Sequence, residues 1–527
     1  MGRARRFVGN VLLLTGTSLL MRLIGLGFQI YLTRQIGAEG VGLYQLIMSV
    51  ELFASTLAVC GMRLASMRLV TLEIAAGGPS RGKRAVRYCL CYSLFFGSMA
   101  GALLFTTAPF IAGKLLQSPD ASLSLRILAL SLPALGVSAT LGGYFTAIHK
   151  IDRSVVAQFA EQFCRIGCTV GLLSLLLPKT PRMACAAVAS GAVISEIFSC
   201  LIQLCFCRRI VRSIPLPHSG PRLHGQLLGL ALPIAASALL RSGLSSVESI
   251  LTPIGLGQSG MSYPDALSVY GMVRGMAMPV LFFPVALLTS LGELLVPEIT
   301  ECQASRRIKQ LHYILSRAFQ LTVPFSIGVA GILYVYAEPL GLLLYQNPQA
   351  ADFIRLLAPL VPVMYVDTVG DGMLKGLGAQ VASMNYNILD AFIGICFVLI
   401  FLPRYGVAAY IASIYVTETI NFLLTMNKVI AMTDFHFRWG AWVFKPAFYI
   451  LGALSAAALL GRRIFPGGVV SSVRLFILIC AVLFVYLLAL VLFACVTRED
   501  LRWMAGLARS DRAKKQKGGY QRRLSAY

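Results

Sequence analysis

Apolar runs of roughly helical-span length recur along the whole chain, separated by short polar stretches. A helix of about 20 mostly apolar residues crosses the ~30 Å hydrocarbon core of a bilayer. The pattern predicts fourteen such helices, at about 8–32, 41–60, 86–110, 123–148, 155–177, 183–207, 227–251, 266–296, 313–336, 353–374, 379–402, 406–429, 442–464 and 472–495. The chain therefore reads as an all-α polytopic membrane protein. No gap on the outer side is much longer than about fifteen residues, which leaves no room for a soluble catalytic domain there.

Composition agrees with this pattern. Only 13% of the 527 residues are charged and 57% are hydrophobic, where a soluble protein carries about 25% charged residues. The balance is basic, with 46 Lys and Arg against 22 Asp and Glu. In a soluble chain that excess would suggest nucleic acid; here the basic residues sit in the gaps, so no nucleic-acid partner is expected. With the N-terminus in the cytoplasm, alternate gaps place 32 Lys and Arg inside and 10 outside, leaving Arg22, Arg165, Arg241 and Arg274 within helices. This asymmetry fits the positive-inside rule and puts both termini in the cytoplasm.

The linker at 208–222, with Pro215, Pro217 and Pro221, divides six predicted helices from the rest. A faint repeat crosses it: Ser18 to Arg22 in predicted helix 1 echoes Ala238 to Arg241 in helix 7, and Gly42 to Ile47 echoes Leu267 to Met272. Two homologous six-helix lobes would place a binding site between them near the bilayer midplane. The expected organisation is an N-lobe at 1–210, a C-lobe at 221–430, two further helices at 431–497 and a basic cytoplasmic tail at 498–527. The first apolar segment reads as a retained helix and not a cleaved signal. The thirteen cysteines lie mostly in apolar runs and imply neither a disulfide framework nor a metal site.

Ionisable residues inside spanning helices are the strongest functional pointers, because each costs about 2.5–3.5 kcal/mol on insertion scales. Arg22, Arg241 and Arg274 are candidates for a cationic cavity, since arginine keeps its charge and grips phosphate oxygens bidentately. The alternative is that each is neutralised by a structural carboxylate such as Glu51 or Glu248. Glu161 and Arg165, four apart on one face, read as a structural ion pair. Asp367 and Asp371 share a face as like charges and could carry a proton or bind a cation, as could Glu51. There is no ATP-binding phosphate loop and no zinc-hydrolase motif, so neither an enzyme nor a cofactor is expected.

Residues Leu20 to Gly25, followed by Thr33 to Leu46, resemble the first helix pair of the stage V sporulation protein B family, within the MOP superfamily of flippases and exporters. Gly143 to Phe145 with Gln158 to Arg165 resembles its helix 4–5 signature, and Ser268 to Gly271, Gly275 to Pro279, Phe282 to Pro284 and Val296 to Ile299 resemble its helix 8 pattern. Leu374 to Gly378 resembles a signature after helix 10. The resemblance implies two six-helix lobes in a V and a lipid-linked oligosaccharide on a polyprenyl diphosphate, a peptidoglycan or polysaccharide precursor. It extends to MurJ-type lipid II flippases, in which cationic residues line the cavity and helices 13 and 14 help form a groove for the lipid tail. The implied partners are that substrate, membrane lipids and a coupling ion, in a bacterial cytoplasmic membrane. Rival readings are a cation-coupled multidrug exporter, a membrane glycosyltransferase and a non-transporting scaffold for cell-wall synthesis. The two central arginines argue against the first and the short outer loops against the second.

Overall fold

A computed structural model describes residues 2–176, 181–212, 214–215, 223–435, 437, 440–464 and 472–492. Among them there are helices and no strands. The first half comprises α1 (Gly2–Val59), α2 (Met62–Phe110), a π-helical turn (Ile111–Leu115), α3 (Ala121–Ala129), α4 (Leu132–Ala147), α5 (Ile151–Leu176), α6 (Pro181–Val211), α7 (His224–Gln258) and α8 (Tyr263–Gly271). A second π-helical turn (Met272–Ala277) leads to α9 (Met278–Phe282), α10 (Val285–Ala304), α11 (Ile308–Val335), α12 (Ala337–Tyr345) and α13 (Pro348–Leu357). There follow α14 (Val361–Gly376), α15 (Gln380–Ile400), α16 (Leu402–Thr433), a third π-helical turn (Gly440–Phe444), α17 (Lys445–Ile464) and α18 (Ser472–Leu492).

Two of the long helices are broken at glycine. Gly37 within α1 has φ 71° and ψ 178°, and Gly406 within α16 has φ 56°. Positive φ is open to glycine and strained for residues with a Cβ. Both breaks fall in or beside the polar gaps that separate predicted spans. Gly61, between α1 and α2, also has φ 70°.

The expected number of spans is not confirmed. Among the described residues, nine helices are long and apolar enough to cross a membrane, or ten if the bent pair Ala121–Ala129 and Leu132–Ala147 counts as one. Predicted helices 1 and 2 merge into one run, Leu20–Ala76. Predicted helix 8 (266–296) is divided among α8, the π-helical turn, α9 and the first part of α10. Pro279 and Pro284 lie along that stretch, where each removes a backbone donor. The tail at 498–527 and residues 493–497 lie outside the described residues.

The described residues group into two compact units, those within 31–271 and 391–410, and those within 1–30, 272–390 and 411–492. In the first, α2 and α4 pack closely over a core that includes Met62, Leu69, Val86, Leu141 and Phe145. A Cβ on Gly97 would stand 2.9 Å from the Leu132 carbonyl, and one on Gly101 2.8 Å from that of Ala129. Lipid chains are as apolar as leucine, so membrane helices associate by such close packing and by polar contacts rather than by a hydrophobic drive. The buried Ser66 accordingly donates to the Thr140 carbonyl at 3.0 Å.

In the second unit, α10 and α11 pack against α14. The α17–α18 hairpin seats on α11 through two glycine notches: Tyr486 lies over Gly328, and Ile450 and Leu454 over Gly331. The Tyr486 hydroxyl donates to the Pro324 carbonyl at 2.7 Å. At the start of α17, Phe319, Phe435 and Trp442 stack with ring centroids 5.5–6.3 Å apart.

Candidate functional site

The three predicted cavity arginines fall on different elements. Arg22 is exposed on α1, and Arg241 is exposed in the middle of α7. Arg274 is half-buried and sits in the π-helical turn Met272–Ala277, not on a regular helix as the sequence suggested. Arg22 and Arg274 belong to one unit and Arg241 to the other. Within the former unit, Gln29 on α1 donates to the Gly275 carbonyl at 3.3 Å. Gln29 lies two helical turns beyond Arg22, so this contact joins the Arg22 segment to the turn that carries Arg274. The same turn is held by Asn347, whose side-chain amide reaches the Met272 sulfur at 3.7 Å.

Asp367 and Asp371 stand one turn apart on α14, each with its own partners. Asp371 pairs with Lys375 at 2.6 Å and accepts a short hydrogen bond from Ser383 on α15. Asp367 accepts from Asn421 on α16 at 2.9 Å and also faces Thr425. Three helices are thereby tied together by polar contacts inside one unit.

The other unit holds a polar seam between α5 and α6. Residues spaced four apart on a helix share a face, and α5 presents Glu161, Arg165 and Thr169 in that spacing. The α6 stripe is Gly191, Ser195, Ser199 and Gln203. Arg165 pairs with Glu161 at 2.6 Å and points its Nε at the Ser195 hydroxyl, 3.4 Å away. Ser199 donates to the Ala157 carbonyl at 3.5 Å, and Gln203 reaches Ser199 at 3.4 Å. Gly191 admits the side chain of Thr169, whose hydroxyl oxygen a Cβ there would overlap.

Two more carboxylates lie within electrostatic range of Arg165. Glu196 on α6 is buried; it faces Ser138 on α4 and lies within electrostatic range of Glu161, Arg165 and Glu51. Glu51 on α1 is likewise within range of Arg165. Sequence inspection named Glu51 and the Glu161–Arg165 pair but could not rank Glu196. Glu196 lies one residue off the four-residue polar stripe of α6, so no spacing in the sequence marks it. Among the described residues, no group of three or more His, Cys, Asp and Glu is close enough to hold a metal ion.

These features, buried polar contacts between long apolar helices and arginines within them, are those of a multi-pass α-helical membrane protein. The family model described as "Polysaccharide biosynthesis protein" matches residues 7–303, and the chain belongs to that family. A second model, MatE, matches residues 258–400, and both place the chain in the MOP superfamily of flippases and exporters. Stage V sporulation protein B of Bacillus subtilis (strain 168) is 26% identical over 509 residues, covering 94% of this chain and 97% of that protein. Sporulation protein YkvU of the same organism is 20% identical, over 85% of this chain and 98% of that protein. Among solved structures, lipid II flippase MurJ in an inward closed conformation has a TM-score of 0.62 at 13% identity, covering 92% of this chain and 98% of that one. An inward-facing multidrug resistance MATE family transporter of the MOP superfamily has a TM-score of 0.60 at 14% identity, covering 79% of this chain and 96% of that one. At such identities these two likenesses speak to the fold.

Proposed function

We propose that this protein is an alternating-access flippase that carries a lipid-linked oligosaccharide, a peptidoglycan or polysaccharide precursor on polyprenyl diphosphate, across the bacterial cytoplasmic membrane. The observation that carries the reading is the placement of Arg22 and Arg241. Both are exposed side chains on helices apolar enough to span a membrane. A permanent charge on such a helix is costly against hydrocarbon and is retained where it faces a polar interior. A guanidinium there suits the diphosphate of the substrate. Near-full-length similarity to stage V sporulation protein B supports the same class.

In this reading the N-lobe is 1–210 and the C-lobe 221–430, with both termini in the cytoplasm. Arg22 and Arg241 receive the diphosphate from the cytoplasmic side, and Arg274 adds to the cationic lining. The polyprenyl chain stays in lipid beside the helices of 431–497. Glu51, Asp367 and Asp371 are the acids through which a coupling ion would act. The MatE match at 258–400 favours one alternative, a cation-coupled multidrug exporter; cationic drugs would call for an acidic cavity instead of an arginine-lined one.

The deciding experiment is translocation of a fluorescent polyprenyl-diphosphate disaccharide-peptide in proteoliposomes. Wild type should move the lipid, and Arg22→Ala with Arg241→Ala should abolish movement while the protein stays monodisperse. Equal movement in both would remove the arginines from the mechanism. Movement of cationic dyes but of no lipid-linked glycan would favour the exporter.

A further inference from the structure

Asp367 and Asn421 meet across the contact between α14 and α16. The Asn421 amide nitrogen donates to Asp367 Oδ2 at 2.9 Å. Close by on α14, Gly370 admits the Thr425 side chain, whose methyl carbon would stand 2.8 Å from a Cβ there. Asn421 and Thr425 are four apart on α16, so two contacts from one face hold the helices together at this point. The hydrogen bond leaves one oxygen over on each partner. Asp367 Oδ1 and Asn421 Oδ1 are both buried, and neither has a hydrogen-bond partner. Each is bonded to the same carbon as the atom already engaged, so the two spare oxygens belong to one contact. Both are acceptors when Asp367 is ionised, and burying two acceptors beside each other with no donor is unfavourable. Among the described side chains no cation answers the carboxylate. The charged group that bears on Asp367 is Asp371, itself held by Lys375 at 2.6 Å and by Ser383 of α15. From α16 come the neutral Asn421 and Thr425, and no charged side chain described on α10, α11 or α15 bears on Asp367.

We infer that Asp367 binds a proton and that Asn421 is its partner, the two closing a cyclic acid–amide pair that clamps α14 to α16. A proton on Asp367 Oδ1 turns that oxygen into a donor, and Asn421 Oδ1 is the acceptor it needs. The amide N–H then donates to one oxygen of the acid while the acid O–H donates to the amide oxygen, so neither spare oxygen is left unpaired. The proton comes from the aqueous phase and returns to it. Binding converts the carboxylate to a neutral acid; release restores the carboxylate and its two facing acceptors, which loosens the helices. Both side chains are half-buried as a whole, so the pair is reachable from the surface. This role deepens the transport reading above and rests on it for its purpose. Of the acids proposed there for a coupling ion, Asp367 is the one that carries it, the ion is a proton, and the α14–α16 contact is what it controls. Asp371 is unsuited, because a lysine already neutralises it.

The test is difference infrared spectroscopy of the full chain in lipid nanodiscs, in water and in deuterium oxide, following the C=O stretch of a protonated carboxylic acid. Wild type should show a band at mildly acidic pH that shifts on deuteration and disappears at alkaline pH. Asp367→Asn, which keeps the shape and neutrality of the protonated side chain, should lack the band, and Asp371→Asn should keep it. Asn421→Leu leaves the acid without its amide, so the band should move to higher wavenumber as the C=O loses its donor. This variant keeps the test valid should Asp367→Asn not fold. Absence of the band from wild type, its persistence to alkaline pH, its survival in Asp367→Asn, or an unmoved band in Asn421→Leu would each overturn the pair. Suppression of the band by sodium at constant pH would also overturn it, by assigning the site to a metal cation. The same proteins are then assayed for pH-gradient-driven movement of the fluorescent lipid-linked sugar. A band that behaves as described without any lipid movement keeps the proton site and defeats the flippase reading. Lipid movement without the band does the reverse.

Discussion

Gly42 on α1 and Gly271 at the end of α8 form a crossing at which the two backbones meet. A Cβ added at Gly42 would overlap the Leu267 carbonyl oxygen and stand 2.9 Å from its carbonyl carbon. A Cβ at Gly271 would overlap the Ala38 carbonyl oxygen and stand 2.6 Å from the Gly42 amide nitrogen. The obstructing atoms are backbone, so no side-chain rotation relieves the clash and the helices must separate by about an ångström. Overpacking of this kind destabilises by about 1–3 kcal/mol. For a unit of this size that corresponds to a fall of roughly 2–10 °C in melting midpoint. Gly167 on α5, with nothing within 4 Å of a built Cβ, is the control: alanine there should be neutral or stabilising by up to ~1 kcal/mol, from helix propensity. The assay is thermal unfolding in detergent, read as loss of the monodisperse chromatographic peak, at one fixed heating rate. Gly42→Ala and Gly271→Ala should each melt lower than wild type, and Gly167→Ala should not. If Gly42→Ala and Gly167→Ala melt together, the backbones do not meet at Gly42 and the α1–α8 crossing is wrong.

Two further outcomes follow from single contacts. Tyr486→Phe keeps the ring over Gly328 but deletes the 2.7 Å bond to the Pro324 carbonyl; it should destabilise the α17–α18 hairpin by about 1 kcal/mol, seen as faster amide exchange in α18 with α14 unchanged. Lys83→Met removes the amine that reaches the Ile214 carbonyl at 2.5 Å, and proteolytic nicking after α6 should become several-fold faster.

The broad architecture was legible because the bilayer imposes it. A run of about 20 apolar residues has few alternatives to a spanning helix. The glycine breaks were legible in position though not in kind: Gly37 and Gly406 lie at or beside predicted gaps, yet at Gly37 the helix resumes within a residue, so predicted helices 1 and 2 join, while the spans near Gly406 stay separate as α15 and α16. The division at 266–296 was half legible. Its prolines announce a disturbed helix, but nothing in the local sequence marks Met272–Ala277 as the π-helical turn that carries Arg274. That turn depends on contacts from elsewhere, including Gln29 from α1 and Asn347 from the start of α13.

Charge bookkeeping was the least legible layer, because it depends on which helices touch. From sequence alone Glu161 and Arg165 form a closed pair, four apart and opposite in sign, with nothing left to explain. The fold places Glu196 on α6 and Glu51 on α1 within electrostatic range of the same guanidinium, so the pair is not isolated. On α14 the change runs the other way. Asp367 and Asp371 look like two equivalent carboxylates, but the fold gives Asp371 a lysine and a serine, whereas Asp367 has an asparagine and one buried oxygen, Oδ1, without a hydrogen-bond partner. Spacing along one helix tells which charges share a face, whereas the charge that face must tolerate is set by its neighbours.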